Sequence, residues 1–154
     1  MELFSPASLW RRLAAWAIDA LIVAGSAGVV AGVTVGQADI DDSLMAHLIS
    51  VLLGVMWMTY NTLTLSRPGL RNGKTLGKQL LRIHVVRADG EPLTVVDAAV
   101  RQLVQWGPLI VFGQFELLTY VAFAWLVVMT AAALISPGRL TLYDRLLHQK
   151  VLGD

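Results

Sequence analysis

The sequence predicts an all-α membrane protein with about four membrane-embedded helices and a short cytoplasmic β-hairpin-like loop. Three observations predict it. Apolar residues make up 56% of the chain and charged residues 15%, against about a quarter charged in soluble domains. Several apolar runs reach the ~20 residues that a helix needs to cross the hydrocarbon core. The twelve Lys and Arg residues are confined to 11–12, 67–101 and 139–150, and four crossings put all of them on one side, the side basic residues favour. At 154 residues the chain reads as a single domain. It has no cysteine, which excludes disulfides, thiolate metal sites and cysteine nucleophiles. With a net charge of +1, any charge effect has to come from placement.

The first span is expected at 13–36, behind Arg11 and Arg12 and with Asp19 as its single charge. It is too long for a signal peptide, whose apolar core is ~7–15 residues. GQADIDDS follows, acidic and without a base, and belongs outside. The second span, 44–66, has no charge. Residues 67–96 form a cytoplasmic loop. Its RPGLRNGKT stretch reads as an irregular connector, with Lys74, Lys78 and Arg82 touching anionic headgroups. LRIHVVRADGEPLTVV then alternates around Ala88-Asp89-Gly90, the pattern of a short hairpin. A shorter helix, 97–113, spans or lies at the interface and carries Arg101, Gln102 and Gln105 in its first turns. GQFE interrupts, and the last span covers 117–136. The tail, 137–154, is cytoplasmic, and its QKVLGD offers one more short strand. The five tryptophans read as interface or packing residues. No internal repeat is evident in the residues. Gly28 and Gly32, four apart on the first helix, are expected to face another helix, because small residues let backbones approach closely in lipid.

Arg12 and Asp19 share a helix face about 10 Å apart along the axis. Depth matching brings Thr59, Tyr60 and Asn61 of the second span and Arg101 and Gln105 of the third helix to the layer of Asp19. An inner-leaflet polar cluster is therefore expected from three helices, with Asn61, Arg101 and Gln105 its candidates. An unpaired carboxylate at that depth costs at least ~2.5–3.5 kcal/mol, so Asp19 should face the bundle. It is expected either to pair with Arg101 or Arg12 as a structural lock, or to change protonation or bind a cation during transport.

Other chemistry finds little support. His47, His84 and His148 are scattered, so neither a metal site nor a cofactor is expected. GLRNGKT lacks the glycine spacing of a phosphate loop. No Ser-His-Asp order or cleft-forming carboxylate pair stands out, so no enzyme is expected. The bases are juxtamembrane and not interleaved with stacking aromatics, which argues against nucleic acid.

Three segments carry a resemblance. WRRLAAWAIDALI, GKTLGKQLLRIHVVRADGEPL and LYDRLLHQKVL are similar, in order, to the motifs of the RDD family of bacterial membrane proteins, named for an arginine and two aspartates. Arg12 and Asp19 match its Arg and first Asp, Gly73, Thr75, Gly77 and Lys78 its glycine-threonine segment, and Asp144 its second Asp. One departure is LLHQK, where a small Ala-Gly-Thr type turn is usual. The resemblance implies a multi-pass protein of the bacterial cytoplasmic (inner) membrane with both termini inside, and it implies that Asp144 folds back towards Arg12 or Arg101. Some members are associated with sodium–proton antiport. The leading expectation is an accessory or scaffold subunit of a larger membrane assembly, in contact with anionic lipid. The alternative is an ion or small-solute transporter acting as a homo-oligomer.

Overall fold

A serine opens the first helix. The Ser8 hydroxyl accepts the N–H of Arg11 at 3.3 Å, the bond that favours Ser at an N-cap. Helix α1 therefore runs Leu9–Val35, with the arginine pair inside its first turn and not ahead of it. In this computed structural model residues 6–35, 41–112, 116–136 and 140–153 are described; the polar stretches 36–40 and 113–115, Gly36 among them, and Arg139 lie outside the described residues. Helix α2, Asp42–Leu65, begins at Asp41, whose carboxylate accepts the N–H groups of Ser43 (3.0 Å) and Leu44 (3.3 Å).

A single 3-10 turn, Gly69–Arg71, and a five-residue helix α3, Leu76–Leu80, lead into strand β1, Ile83–Arg87. The next arm does not fold back on β1 as a hairpin. Pro92 has no N–H to give a ladder. Thr94 and Asp97 instead close a reciprocal cap, Thr94 N–H on the Asp97 carboxylate at 2.9 Å and Asp97 N–H on the Thr94 hydroxyl at 3.1 Å. That cap starts α4, Val95–Phe112. Helix α5, Glu116–Ile135, returns along α4, and α6, Leu142–Leu146, precedes β2, Gln149–Gly153. The partner of β1 is this tail strand: the two pair antiparallel, with Ile83 opposite Gly153, Val85 opposite Val151 and Arg87 opposite Gln149. The N-terminal segment joins the other edge of β2, where Ala7 N–H donates to Val151 C=O at 3.1 Å.

Three helices are long and apolar enough to cross a membrane, Leu9–Val33, Asp42–Leu65 and Leu118–Ile135. Helix α4, which carries Asp97, Arg101, Gln102 and Gln105, is not among them, so length and composition support three of the four expected spans among the described residues. Proline 108 lies inside α4 and removes the N–H that Val104 C=O would accept. The Trp125 indole N–H of α5 donates to that carbonyl at 3.0 Å, so the gap in one helix ties it to the next.

The dense core lies at the end of the molecule where the termini meet. Ala7, Ala15, Leu65, Ile83, Val85, Leu93, Ala98 and Val151 form it. Along the helices, by contrast, Leu21, Val29, Leu134 and Ile135 are exposed. Lipid rather than water covers such a surface, and each helix satisfies its own backbone there.

The elements repeat, and the residues carry a short trace of it. TLGKQLLRIHVVR at 75–87 and TLYDRLLHQKVLG at 141–153 each follow a pair of long helices. In each unit a threonine hydroxyl accepts the N–H three residues on, Thr75 from Lys78 and Thr141 from Asp144. In each the residue before the strand takes a left-handed backbone, φ 50° at Arg82 and 49° at His148. The strands then pair symmetrically about Val85 and Val151. The chain thus runs twice through the same order, two long helices, a short helix and a strand, and the two strands pair antiparallel.

Candidate functional site

Between the halves lies a polar layer, and each of the two motif aspartates organises one side of it. Asp19 is 2% exposed. Its Oδ1 accepts the Tyr60 hydroxyl at 2.7 Å and the Gly77 N–H at 2.8 Å, and its Oδ2 accepts the Thr75 hydroxyl. Tyr60 Oη in turn accepts the Leu76 N–H at 3.1 Å. Asp19 therefore fastens the start of α3 to α1 with neutral donors, and several hydrogen bonds offset the cost of burying its charge. Gly77 is required at this junction, since a Cβ there would stand 2.2 Å from the Ala15 carbonyl oxygen and 3.1 Å from the Asp19 carboxyl carbon.

Asp144 is fully buried and takes the arginines. Its Oδ1 is 2.8 Å from Arg101 Nη1 and its Oδ2 3.4 Å from Arg12 Nη1. Its Oδ2 also accepts the Thr141 N–H at 3.1 Å, which closes the capping box of α6. Arg101 donates further to Gln149 Oε1 at 2.6 Å and lies 4.8 Å over the Tyr143 ring. Arg12 Nη2 donates to Val151 C=O at 3.2 Å. The first helix of each half thus reaches the short helix and strand of the second through one carboxylate.

This corrects the expected pairing. Asp19 makes no ion pair with Arg12 or Arg101 among the described residues; both arginines belong to Asp144. Arg12 lies near the start of α1, at the level of the tail, whereas Asp19, two turns further in, meets α3.

A pocket of about 80 Å³ opens beside these contacts. Arg12, Trp16, Asp19, Trp57, Asn61 and Lys78 line it from the first half, and Arg101, Gln102, Gln105, Trp106, Tyr143 and Val151 from the second. The residues expected to share a layer, Asn61, Arg101 and Gln105 with Asp19, come together here. Asn61 donates to Trp57 C=O at 2.9 Å. Lys78 comes with them and so is not turned to headgroups. Desolvation pushes its ammonium down to about 8, Arg101 adds to that shift, and Asp19 and Asp144 oppose it. Burial likewise pushes the Tyr143 phenol up, with Arg101 opposing. Lys74 is half-buried and Arg82 exposed, outside the pocket.

Three of the five tryptophans converge above the polar pocket, with ring centroids 6.2 Å apart for Trp16 and Trp57, 5.4 Å for Trp57 and Trp106, and 6.3 Å for Trp16 and Trp106. Beyond them an apolar cleft of about 450 Å³ opens between the halves. Its close helix contact is Gly54 of α2, where a Cβ would come within 2.9 Å of Ile110 of α4. A Cβ at Gly28 or Gly32, expected at such a contact, would meet nothing within 4 Å among the described residues.

Residue-by-residue reading named Gln102 only as a polar residue of its helix's first turns and gave Gln149 no site role, since what each does depends on what lies opposite. It found Thr75 and Gly77 only as motif matches; their signal was a threonine three residues before Lys78, a cap pattern. No group of three or more His, Cys, Asp or Glu placed to hold a metal ion occurs among the described residues.

Neither the curated proteins nor the solved structures give a match to this chain. A family model does, over residues 6–148. That range contains all three polar anchors just described, Arg12, Asp19 and Asp144, together with three helices apolar and long enough to cross a membrane, and the chain is a membrane protein belonging to the RDD family.

Proposed function

We propose that the chain is a non-enzymatic accessory or scaffold subunit of a larger assembly in the bacterial cytoplasmic membrane. The observation that carries this reading is where its polar and small residues are spent. The family's charged anchors bond to one another and to the short helices, while the outer half of α1 offers Gly25, Gly28 and Gly32 with open space beside them among the described residues. A glycine face in lipid gains by close backbone contact with another helix. Affinity purification in mild detergent, with the co-purifying chains identified, tests it. A different membrane protein should accompany the wild type and be lost with Gly28→Leu but kept with Val29→Leu. A chain that purifies alone, or with itself only, overturns the scaffold reading.

In this reading α4 and α5 enter and leave the membrane as a second hairpin after α1 and α2, giving four embedded helices with both termini inside. It is supported by the confinement of basic residues to the end where the strands, the α1 start and the α2 end meet.

One observation favours a second reading, an ion or small-solute transporter. The polar pocket lies between two repeated halves, the place where transporters built from repeats hold their solutes. Proteoliposome flux decides. A folded Asp19→Asn protein that no longer moves sodium or protons, beside an active wild type, would establish transport; an inactive wild type removes this reading.

A further inference from the structure

We infer that the pocket between the halves binds a phosphate group, with Lys78 as its charge partner. The inference requires binding alone and so stands apart from both the assembly and the transport readings.

Charge in the pocket is unevenly settled. Arg12 and Arg101 share Asp144 at 3.4 and 2.8 Å. Asp19 is satisfied by Tyr60, Thr75 and the Gly77 N–H, all neutral donors. Lys78 lines the same space and takes part in none of the ion pairs among the described residues. Among the described residues three cations thus face two carboxylates, a net charge of +1, and Lys78 is the one of the three that makes no ion pair. A cation entering here would meet a carboxylate whose oxygens are already occupied and an ammonium that repels it. An anion is drawn by the ammonium and the net positive charge of the lining, against the repulsion of Asp19.

The neutral groups narrow the anion. The Trp57 indole N–H is buried without a hydrogen-bond partner, and so is the Oε1 of Gln102, a residue 2% exposed. Both residues line the pocket. These two orphaned atoms are one N–H donor and one acceptor. A carboxylate would leave the acceptor empty. A singly protonated phosphate fills both, its oxygens accepting from Lys78 and Trp57 and its P–OH donating to Gln102. About 80 Å³ is room for several water molecules at ~10–15 Å³ each on this measure, enough for one phosphate group. Such a group comes free in solution or as the head of a lipid phosphomonoester, whose chain would have the apolar cleft of about 450 Å³ on the far side of the shared tryptophans.

The lysine's ammonium, held down to about 8 by desolvation, is mostly charged at neutral pH and loses its proton just above it. Phosphate binding should therefore weaken as pH rises past that value.

Tryptophan fluorescence of the purified full chain reads the site, since three of its five tryptophans line it. In one arm the chain in neutral detergent is titrated with inorganic phosphate against chloride at equal ionic strength. In the other it is reconstituted into phosphatidylcholine vesicles with or without phosphatidic acid. A saturable change with inorganic phosphate assigns the free ion; a change confined to phosphatidic acid vesicles assigns the lipid head. In either case Lys78→Gln should weaken binding roughly tenfold or more, the loss of one charge-assisted hydrogen bond. Lys78→Arg should retain most of it, and Lys150→Gln, at an exposed position of β2, all of it. Wild-type affinity should fall between about pH 7 and pH 9. No change in either arm, an undiminished response in Lys78→Gln, or a wild-type affinity flat across that pH range would each overturn the inference. Should Lys78→Gln fail to fold, the pH profile and Lys78→Arg decide it.

Discussion

Two aspartates buried in one layer use different chemistry, and the difference predicts different mutants. Asp144 balances two guanidinium groups, so Asp144→Asn leaves Arg12 and Arg101 facing each other without an anion. Breaking a buried pair in this way costs about 3–5 kcal/mol, read as a large fall in melting temperature. Adding Arg101→Gln should recover part of that loss, because it removes one of the two orphaned charges. The same Arg101→Gln should not rescue Asp19→Asn, since Arg101 bonds to Asp144 and Gln149 and not to Asp19. Rescue of Asp19→Asn by Arg101→Gln would mean that the two carboxylates share one network. Lys78 adds a pH signature. Its ammonium is depressed to about 8 from the ordinary 10.5, so above pH 8 the unfolded chain binds more protons than the folded one and stability rises with pH up to the ordinary value. Lys78→Met should flatten that rise in thermal melts taken across the range.

Between elements, the stabilising devices sit where a helix is incomplete. Pro108 leaves Val104 C=O open and the Trp125 indole N–H closes it. Trp125→Phe should therefore cost about 1–3 kcal/mol, the desolvation of an unmet carbonyl. Pro108→Ala should recover much of the loss by restoring the N–H within α4. A double variant no more stable than Trp125→Phe would show that the indole acts by packing alone. The same scale holds the one clear departure from the family's motif. His148 occupies a left-handed backbone, φ 49°, that costs a non-glycine residue roughly 1–2 kcal/mol. His148→Gly should match or exceed the wild type in melting temperature, while His148→Val should fall below it.

Across the whole molecule, two similar halves meet at a sheet, a polar pocket and a tryptophan cluster. Cysteine accessibility tests the arrangement in the membrane: Asp41→Cys should label from one side and both Arg87→Cys and Gly153→Cys from the other. Labelling of Arg87→Cys and Gly153→Cys from opposite sides is incompatible with the β1–β2 pairing in the membrane. The embedded helices were legible because their signal is local: length and an unbroken apolar run suffice when lipid is the solvent. The layer holding Asp19, Asn61, Arg101 and Gln105 was legible too, because depth in a bilayer follows from counting along each helix. Which cation faces which carboxylate was not. That choice depends on how α3 and α6 dock, and five-residue helices leave little periodicity to read. The repeat is short in the residues, Thr-Leu, Leu-Leu and a valine at equal spacing in 75–87 and 141–153, and the shared caps, backbone angles and strand register make it plain. By itself, then, the sequence determined a membrane-embedded helical chain with its polar groups gathered near one end, as run length and charge placement require. Only the tertiary structure decided that β1 pairs with the tail, that Asp144 and not Asp19 holds the arginines, and that Lys78 turns inward, because these are contacts between segments far apart in the chain.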